Sequence, residues 1–500
     1  MNLHLLRNAG ANLMGAVVPA LVALGTVPLV VRGLGEAGYG LFALVSAIAG
    51  YFAVIDINLT AGSVKYIAEY SARKDAARVA ETVCFGLAVY AVLGVAGALG
   101  LYLGAPALVR HLFQVPPALR GLATAALRVA ALGFLAGQLQ AYLQSVPQAL
   151  MRYDLSSRFE ILFGIVVPLS TVALLLLGYG LVELLSLRVA ASALHGALLW
   201  HGIRRLLPAW RWRWPGRAER RGLLGFSGYA FLARLAALSY AYADKLIIGA
   251  LAGVSALAWF SVAATLANRV LGLSFRLSGV FFPAASALCA SGELAQLNRL
   301  YLGATRYVAF LNAAMLVLLA VFAQPILRYW MDPEFARHGA LVLALMAASQ
   351  FVDALTNLPT LVNDGMGHPR VSGLFALARA GAGLLIVYAG VARAGIEGAA
   401  WGHLLASLLF TAAFLAYVHG RSVPASLGHL FARSYAPALG GPAAIALVAA
   451  LAERYLDHGA LDFVLLAGAT ALLLAMHGLW FVADKQDRAQ AWARLRGRPA

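Results

Sequence analysis

Residues 82–103 read TVCFGLAVYAVLGVAGALGLYL, a run of 22 positions without one charged side chain. An α-helix rises about 1.5 Å per residue, so roughly 20 apolar residues cross the ~30 Å hydrocarbon core of a bilayer. This run is long enough for one crossing. Working outward at the same length gives fourteen candidate spans: 9–31, 38–62, 82–103, 121–145, 160–178, 180–202, 223–249, 254–283, 304–329, 339–362, 371–392, 396–419, 435–452 and 461–483. The connections between them are short and hold the Gly, Pro and charged residues.

The whole chain agrees with that stretch. It is 500 residues long, 62% hydrophobic and only 12% charged, with a mean hydropathy of +0.80. Soluble domains are nearer ~45–50% apolar and ~25% charged, and single aqueous cores stop growing near ~250–300 residues. A soluble fold is excluded, and the expected class is an all-α integral membrane protein. The run 9–31 is too long for a signal-peptide core and lacks a small-residue cleavage site, so it reads as a retained first helix.

Classes that need a motif find none. Cys84 and Cys289 lie singly in apolar runs, and no zinc spacing or HExxH exists, so neither a metal nor a cofactor is expected. There is no DxD, phosphate-binding loop or GxSxG, the usual handles of an enzyme.

The formal charge is +17. In a soluble chain this would suggest nucleic acid; here it reports topology. With the N-terminus inside, the inner segments hold 23 Lys and Arg and the outer segments 7, leaving 8 within spans. That positive-inside bias places both termini in the cytoplasm. The densest inner segment, RRLLPAWRWRWPGRAERR at 204–221, alternates Trp with Arg. Indoles and guanidiniums suit the headgroup layer, so membrane lipids are the expected partner there and nucleic acid is not.

Two segments repeat. Residues 28–42 (PLVVRGLGEAGYGLF) overlay 245–259 (KLIIGALAGVSALAW), and 143–147 (LQSVP) overlay 355–359 (LTNLP), at offsets of 217 and 212. Near-equal offsets predict two six-helix lobes, 1–202 and 223–419, joined by a basic linker at 203–222. Two additional helices at 435–483 and a basic tail at 484–500 follow. Six spans separate the copies, so they share orientation, as in transporters with a site at the repeat interface.

Ionisable groups inside spans are costly and point to function. The basic ones are Arg128, Arg188, Arg234, Lys245, Arg269, Arg276, Arg306 and Arg379. Arg188 and Arg306 lie toward span ends and are expected to snorkel. Asp244 is the obvious structural partner for Lys245. Arg234, Arg269, Arg276 and Arg379 exceed the acids within spans, and a cavity with surplus guanidinium suits an anion, pyrophosphate above all. Asn8 and Asn12 share a face of span one, as do Gln350, Asp353 and Asn357 of span ten. Such residues either glue helices together or line a path and bind sugar hydroxyls. Asp353, with Asp56, is the candidate for ion coupling.

Arg7-Asn8, Asn12, the Pro28–Phe42 segment with Leu-Gly-x-x-x-Tyr-Gly at Leu34–Gly40, and Tyr242-Ala-Asp-Lys-Leu-Ile-Ile-Gly249 together resemble the polysaccharide-biosynthesis flippases. These are the Wzx-like, PST branch of the multidrug/oligosaccharidyl-lipid/polysaccharide exporter superfamily. The resemblance implies a two-lobe transporter in the bacterial inner membrane. It would move undecaprenyl-pyrophosphate-linked oligosaccharide from the inner to the outer leaflet for surface polysaccharide, making no bond and acting beside a polysaccharide polymerase and export machinery. Arg234, Arg269 and Arg276 would lie on its portal helices. A cation-coupled multidrug exporter is the alternative within the superfamily, although its cavity should be acidic. A membrane-embedded polymerase or glycosyltransferase is the alternative from another class, but it would need a larger outer loop than this sequence offers.

Overall fold

The structure is a computed structural model and describes residues 3–55, 59–207, 212–217, 219–220, 231, 234–278, 288–289, 291–423, 425–455, 459–483 and 488. Among these residues the chain is helical, without strands. Ten helical stretches are long and apolar enough to cross a membrane. The chain is a multi-pass, all-α membrane protein. It divides into two compact units, Met1–Ala258 and Trp259–Ala500.

In the first unit α1 (Leu3–Phe52) bends at Gly35, where φ is +72°. It is followed by α2 (Leu59–Ala72), α3 (Ala76–Ala107), α4 (Arg120–Ala149), α5 (Tyr153–Leu176) and α6 (Leu181–Leu206). The expected span 38–62 therefore ends early: the helix stops at Phe52, and α2 is a separate element. Local chemistry sets the ends. The Asp75 carboxylate accepts from the Arg78 amide at 3.1 Å to start α3, and Glu183 accepts from the Gly180 amide at 3.0 Å to start α6. After a π-turn at Ser239–Ala243 come α7 (Asp244–Leu251) and α8 (Gly253–Ser278), which runs on into the second unit.

The second unit continues with α9 (Leu294–Val321), α10 (Ala323–Trp330), α11 (Pro333–Ala354), α12 (Asn357–Gly365), α13 (Pro369–Arg421), α14 (Leu427–Leu430), α15 (Ala436–Tyr455) and α16 (Ala460–His477). Two predicted single spans are broken, each at a proline that has no N–H to return to the preceding turn. Pro325 accompanies the break between α9 and α10, and Pro359 that between α11 and α12. The Leu355 carbonyl, which Pro359 leaves without its helical donor, instead accepts the Tyr435 hydroxyl at 2.9 Å.

Helix α13 is two predicted spans in one. Backbone at Ala394 and Gly395 leaves the helical region, and the two arms fold against each other. A Cβ on Gly398 would strike the Gly390 backbone, one on Gly402 the Val387 backbone, and one on Gly383 would touch Ala406. Positions that mirror about residue 394–395 are thus in contact, the signature of an antiparallel hairpin packed through glycine.

Backbone geometry carries the repeat further than sequence could. Left-handed residues are rare outside glycine, and among the described residues eight are present: Gly35, Lys74, Met151 and Gly178, then Gly253, Gly292, Gly367 and Gly395. Taken in order they pair at separations of 218, 218, 216 and 217 residues. Each turn of the first set has its counterpart in the second.

The linker is only partly described. Trp214 packs edge-on to Phe85 with ring centroids 6.2 Å apart, and Glu219 lies 3.5 Å from Arg78. Trp214 and Glu219 thereby tie back to the start of α3.

Candidate functional site

The Leu-Gly-x-x-x-Tyr-Gly element has a structural basis. A side chain at Gly40 would run into the Val254 carbonyl, so only glycine allows the second arm of α1 and the start of α8 to approach. Tyr39, one residue earlier, is buried and within electrostatic reach of Arg188. The guanidinium of Arg188 lies over the Phe42 ring, 4.5 Å from its centroid.

This arrangement brings Arg188 to a cavity of about 390 Å³ inside the first unit. Its walls come from the second arm of α1, α4, α6 and the helical residues just before the Ser239 π-turn. Small residues such as Ala49, Gly133 and Gly137 leave the space, Ser46 and Gln138 supply polar atoms, and Arg188 and Arg234 supply charge. Among the described lining residues there is no carboxylate. A cavity lined by two guanidiniums attracts an anion with two or more acceptor oxygens.

Arg234 lines this cavity. Arg188 does not snorkel. It lies seven residues into α6, about 10 Å from the helix start at 1.5 Å per residue, and turns inward to the cavity. That depth was the available signal.

The other predicted residues are distributed. Arg269 is exposed on α8, and Arg276 lies on the same helix. Asn8 and Asn12 are in the first arm of α1. Asp56 lies outside the described residues. Lys245 lies 3.5 Å from Asp244 and donates to the Ala241 carbonyl at 2.9 Å, an arrangement that serves structure. Gln350 and Asn357 are half-buried, but the break at Leu355 and Thr356 puts them on separate helices, α11 and α12. Their common face does not persist along one axis.

Arg379 and Asp353 meet directly in the second unit. Arg379 Nη2 donates to Asp353 Oδ2 and also to Ser407 Oγ at 3.0 Å, and Ser407 hydrogen-bonds Ser349 at 2.8 Å. The first unit has a polar contact of its own between α4 and α6. There Ser192 donates to Gln140 Oε1 at 2.6 Å, and Phe163 stacks on His195 with centroids 4.5 Å apart. Among the described residues no group of His, Cys, Asp and Glu is arranged to hold a metal.

The fold is similar to that of known membrane transporters. The structure of the lipid II flippase MurJ in an inward closed conformation matches over 92% of this chain and 97% of its own, with a TM-score of 0.73 at 13% identity. An inward-facing multidrug resistance MATE family transporter of the MOP superfamily matches over 80% and 94%, with a TM-score of 0.64 at 14% identity. A Vibrio cholerae MATE transporter covers 82% of this chain and 97% of its own, at a TM-score of 0.57 and 16% identity. In sequence, a Shigella flexneri protein provisionally named an O-antigen transporter is 32% identical over 66 residues, 13% of this chain and 16% of the relative's length. The sequence profile described as "Polysaccharide biosynthesis protein" matches residues 29–334, more than half of the chain. On that match, the chain belongs to the polysaccharide biosynthesis protein family.

Proposed function

We propose that this protein is a flippase that carries undecaprenyl-pyrophosphate-linked oligosaccharide from the inner to the outer leaflet of the bacterial inner membrane for surface polysaccharide synthesis. The observation that supports it most is the two-arginine cavity of the first unit, whose described lining has no acid. Arg188 and Arg234 are the proposed pyrophosphate ligands, with Arg269 and Arg276 on α8 serving the path to them. Asn8, Asn12, Gln350 and Asn357 are proposed contacts for the glycan. The Arg379–Asp353 pair is the proposed coupling element, with proton uptake by Asp353 loosening the knot around Ser407. No bond is made or broken in this cycle. The bias of Lys and Arg toward inner segments supports cytoplasmic termini. The cavity's charge disfavours an exporter of cationic drugs, which an acidic lining would attract.

The test begins with deletion of the gene and mass spectrometry of inner-membrane lipids beside an assay of surface polymer. Complete prenyl-pyrophosphate-linked units held on the inner leaflet are the expected result. Complete units stranded on the outer leaflet would instead assign a polymerase. Complementation with Arg188→Gln and Arg234→Gln should give normal protein abundance and reduced export; parental export by both would remove the clamp from the proposal.

A further inference from the structure

A second site lies in the other unit. The end of α10, the end of α15 and the start of α16 enclose a slot of about 30 Å³. Tyr329 and Phe463 form its aromatic wall, stacked with centroids 5.7 Å apart at 16°, and Phe322 leans on Phe463 at 5.9 Å. Glu453, Asp462 and Arg328 bring charge to the same lining.

Three features specify an occupant. The slot is small, so a compact primary ammonium suits it better than a sugar ring. Two carboxylates beside aromatic faces attract such a cation by charge and by cation–π contact. The guanidinium of Arg328 then offers a phosphate the fork it prefers. The location agrees: Arg328 is in the last turn of α10, Glu453 is near the end of α15, and Asp462 is in the first turn of α16. Ends of apolar helices lie at headgroup depth. Further along the same helices Leu447, Val448, Leu465 and Leu472 are exposed and apolar, a surface for acyl chains.

We propose that this slot binds the headgroup of a zwitterionic phospholipid with a primary amine, a phosphatidylethanolamine, with the ammonium between Glu453 and Asp462 and the phosphate on Arg328. The two additional helices would thereby carry a fixed lipid at the membrane boundary. The proposal does not depend on the cargo assigned to the arginine cavity.

The experiment is native mass spectrometry of the full chain, delipidated and titrated with phosphatidylethanolamine, phosphatidylcholine or phosphatidylglycerol. Ethanolamine lipid should bind best. The choline lipid should be weaker because its trimethylated headgroup does not enter the slot, and phosphatidylglycerol should be weaker because it presents no cation to the acids. Glu453→Gln combined with Asp462→Asn should lower ethanolamine-lipid binding about tenfold, the loss expected of a charge-assisted contact worth about 1.4 kcal/mol. Arg328→Gln should weaken ethanolamine and choline lipids alike. Thermal unfolding of each variant checks that the fold is retained, and Tyr329→Leu gives a second route if the paired variant unfolds. Equal binding of all three lipids, or full retention by the folded acid variants, overturns the proposal. So does binding of a methyl glycoside that competes with the lipid.

Discussion

The eight left-handed turns allow the cost of a side chain to be compared within one molecule. Gly292 and Gly367 have φ of +76° and +91°, and an added Cβ at either would meet nothing within 4 Å. Alanine there carries a purely conformational cost. A non-glycine residue loses about 1–2 kcal/mol in the left-handed region, while replacing glycine recovers roughly 0.5–1 kcal/mol of unfolded-state entropy. The net expectation is a loss of about 0.5–1 kcal/mol for Gly292→Ala. Gly367→Ala should lose more, because +91° lies further from the left-handed optimum near +57°. The counterparts Lys74 and Met151 already sit at +57° with side chains, and Met151 is 76% exposed. Met151→Gly therefore gives up little packing and should be neutral or slightly stabilising. Denaturant titration of purified protein, supported by melting temperature, reads these differences; about 1 kcal/mol corresponds to roughly 2–4 °C for a unit of this size. If Gly367→Ala stabilised the protein as an ordinary helical Gly→Ala change does, or Met151→Gly cost more than Gly367→Ala, the conformational account of these turns would fail.

Four further outcomes follow from packing. Gly40→Ala drives a methyl into the Val254 carbonyl, so folded yield in membranes should collapse, as quantified by size-exclusion of the detergent extract. Tyr435→Phe leaves the Leu355 carbonyl without its hydroxyl donor and should cost about 1–3 kcal/mol; adding Pro359→Ala, which restores the helical N–H, should recover much of it in a double-mutant cycle. Gly441→Ala collides with the His477 ring and should lower the melting temperature, with recovery on adding His477→Ala. Asp353→Asn exchanges the charge-assisted bond to Arg379 for a neutral one while Ser407 still accepts from the guanidinium, and should destabilise by about 1–3 kcal/mol; Asp353→Leu with Arg379→Met should be milder in the same unfolding assay.

Hydropathy made the membrane class and most spans legible because a bilayer imposes a length that sequence must match. It could not show that predicted spans eleven and twelve form one hairpin, since the Gly390–Gly398 contact depends on backbone approach and not on polarity. Nor could it separate α11 from α12: Pro359 was visible, but the rescue of the Leu355 carbonyl by a tyrosine 80 residues later was not. The repeat was faint in residues and plain in dihedral angles, because turn geometry tolerates Lys74 or Met151 where the other half has glycine. Among the charged residues, depth in a span singled out Arg234 as a candidate, whereas Arg188 was set aside as lying toward a span end. The Arg379–Asp353 pairing joins residues 26 apart on α11 and α13, which helical periodicity alone cannot register.

The glycine-faced hairpin of α13 also bears on how this protein is made. Its closest backbone contact joins residues only eight apart, so closure requires little loop entropy and no other helix. Both arms can enter the bilayer as one preassembled unit while the rest of the second half is still being synthesised. A bulky residue at Gly390 or Gly398 would then act at biogenesis, as failed insertion and degradation of the nascent chain, before any transport step could report it.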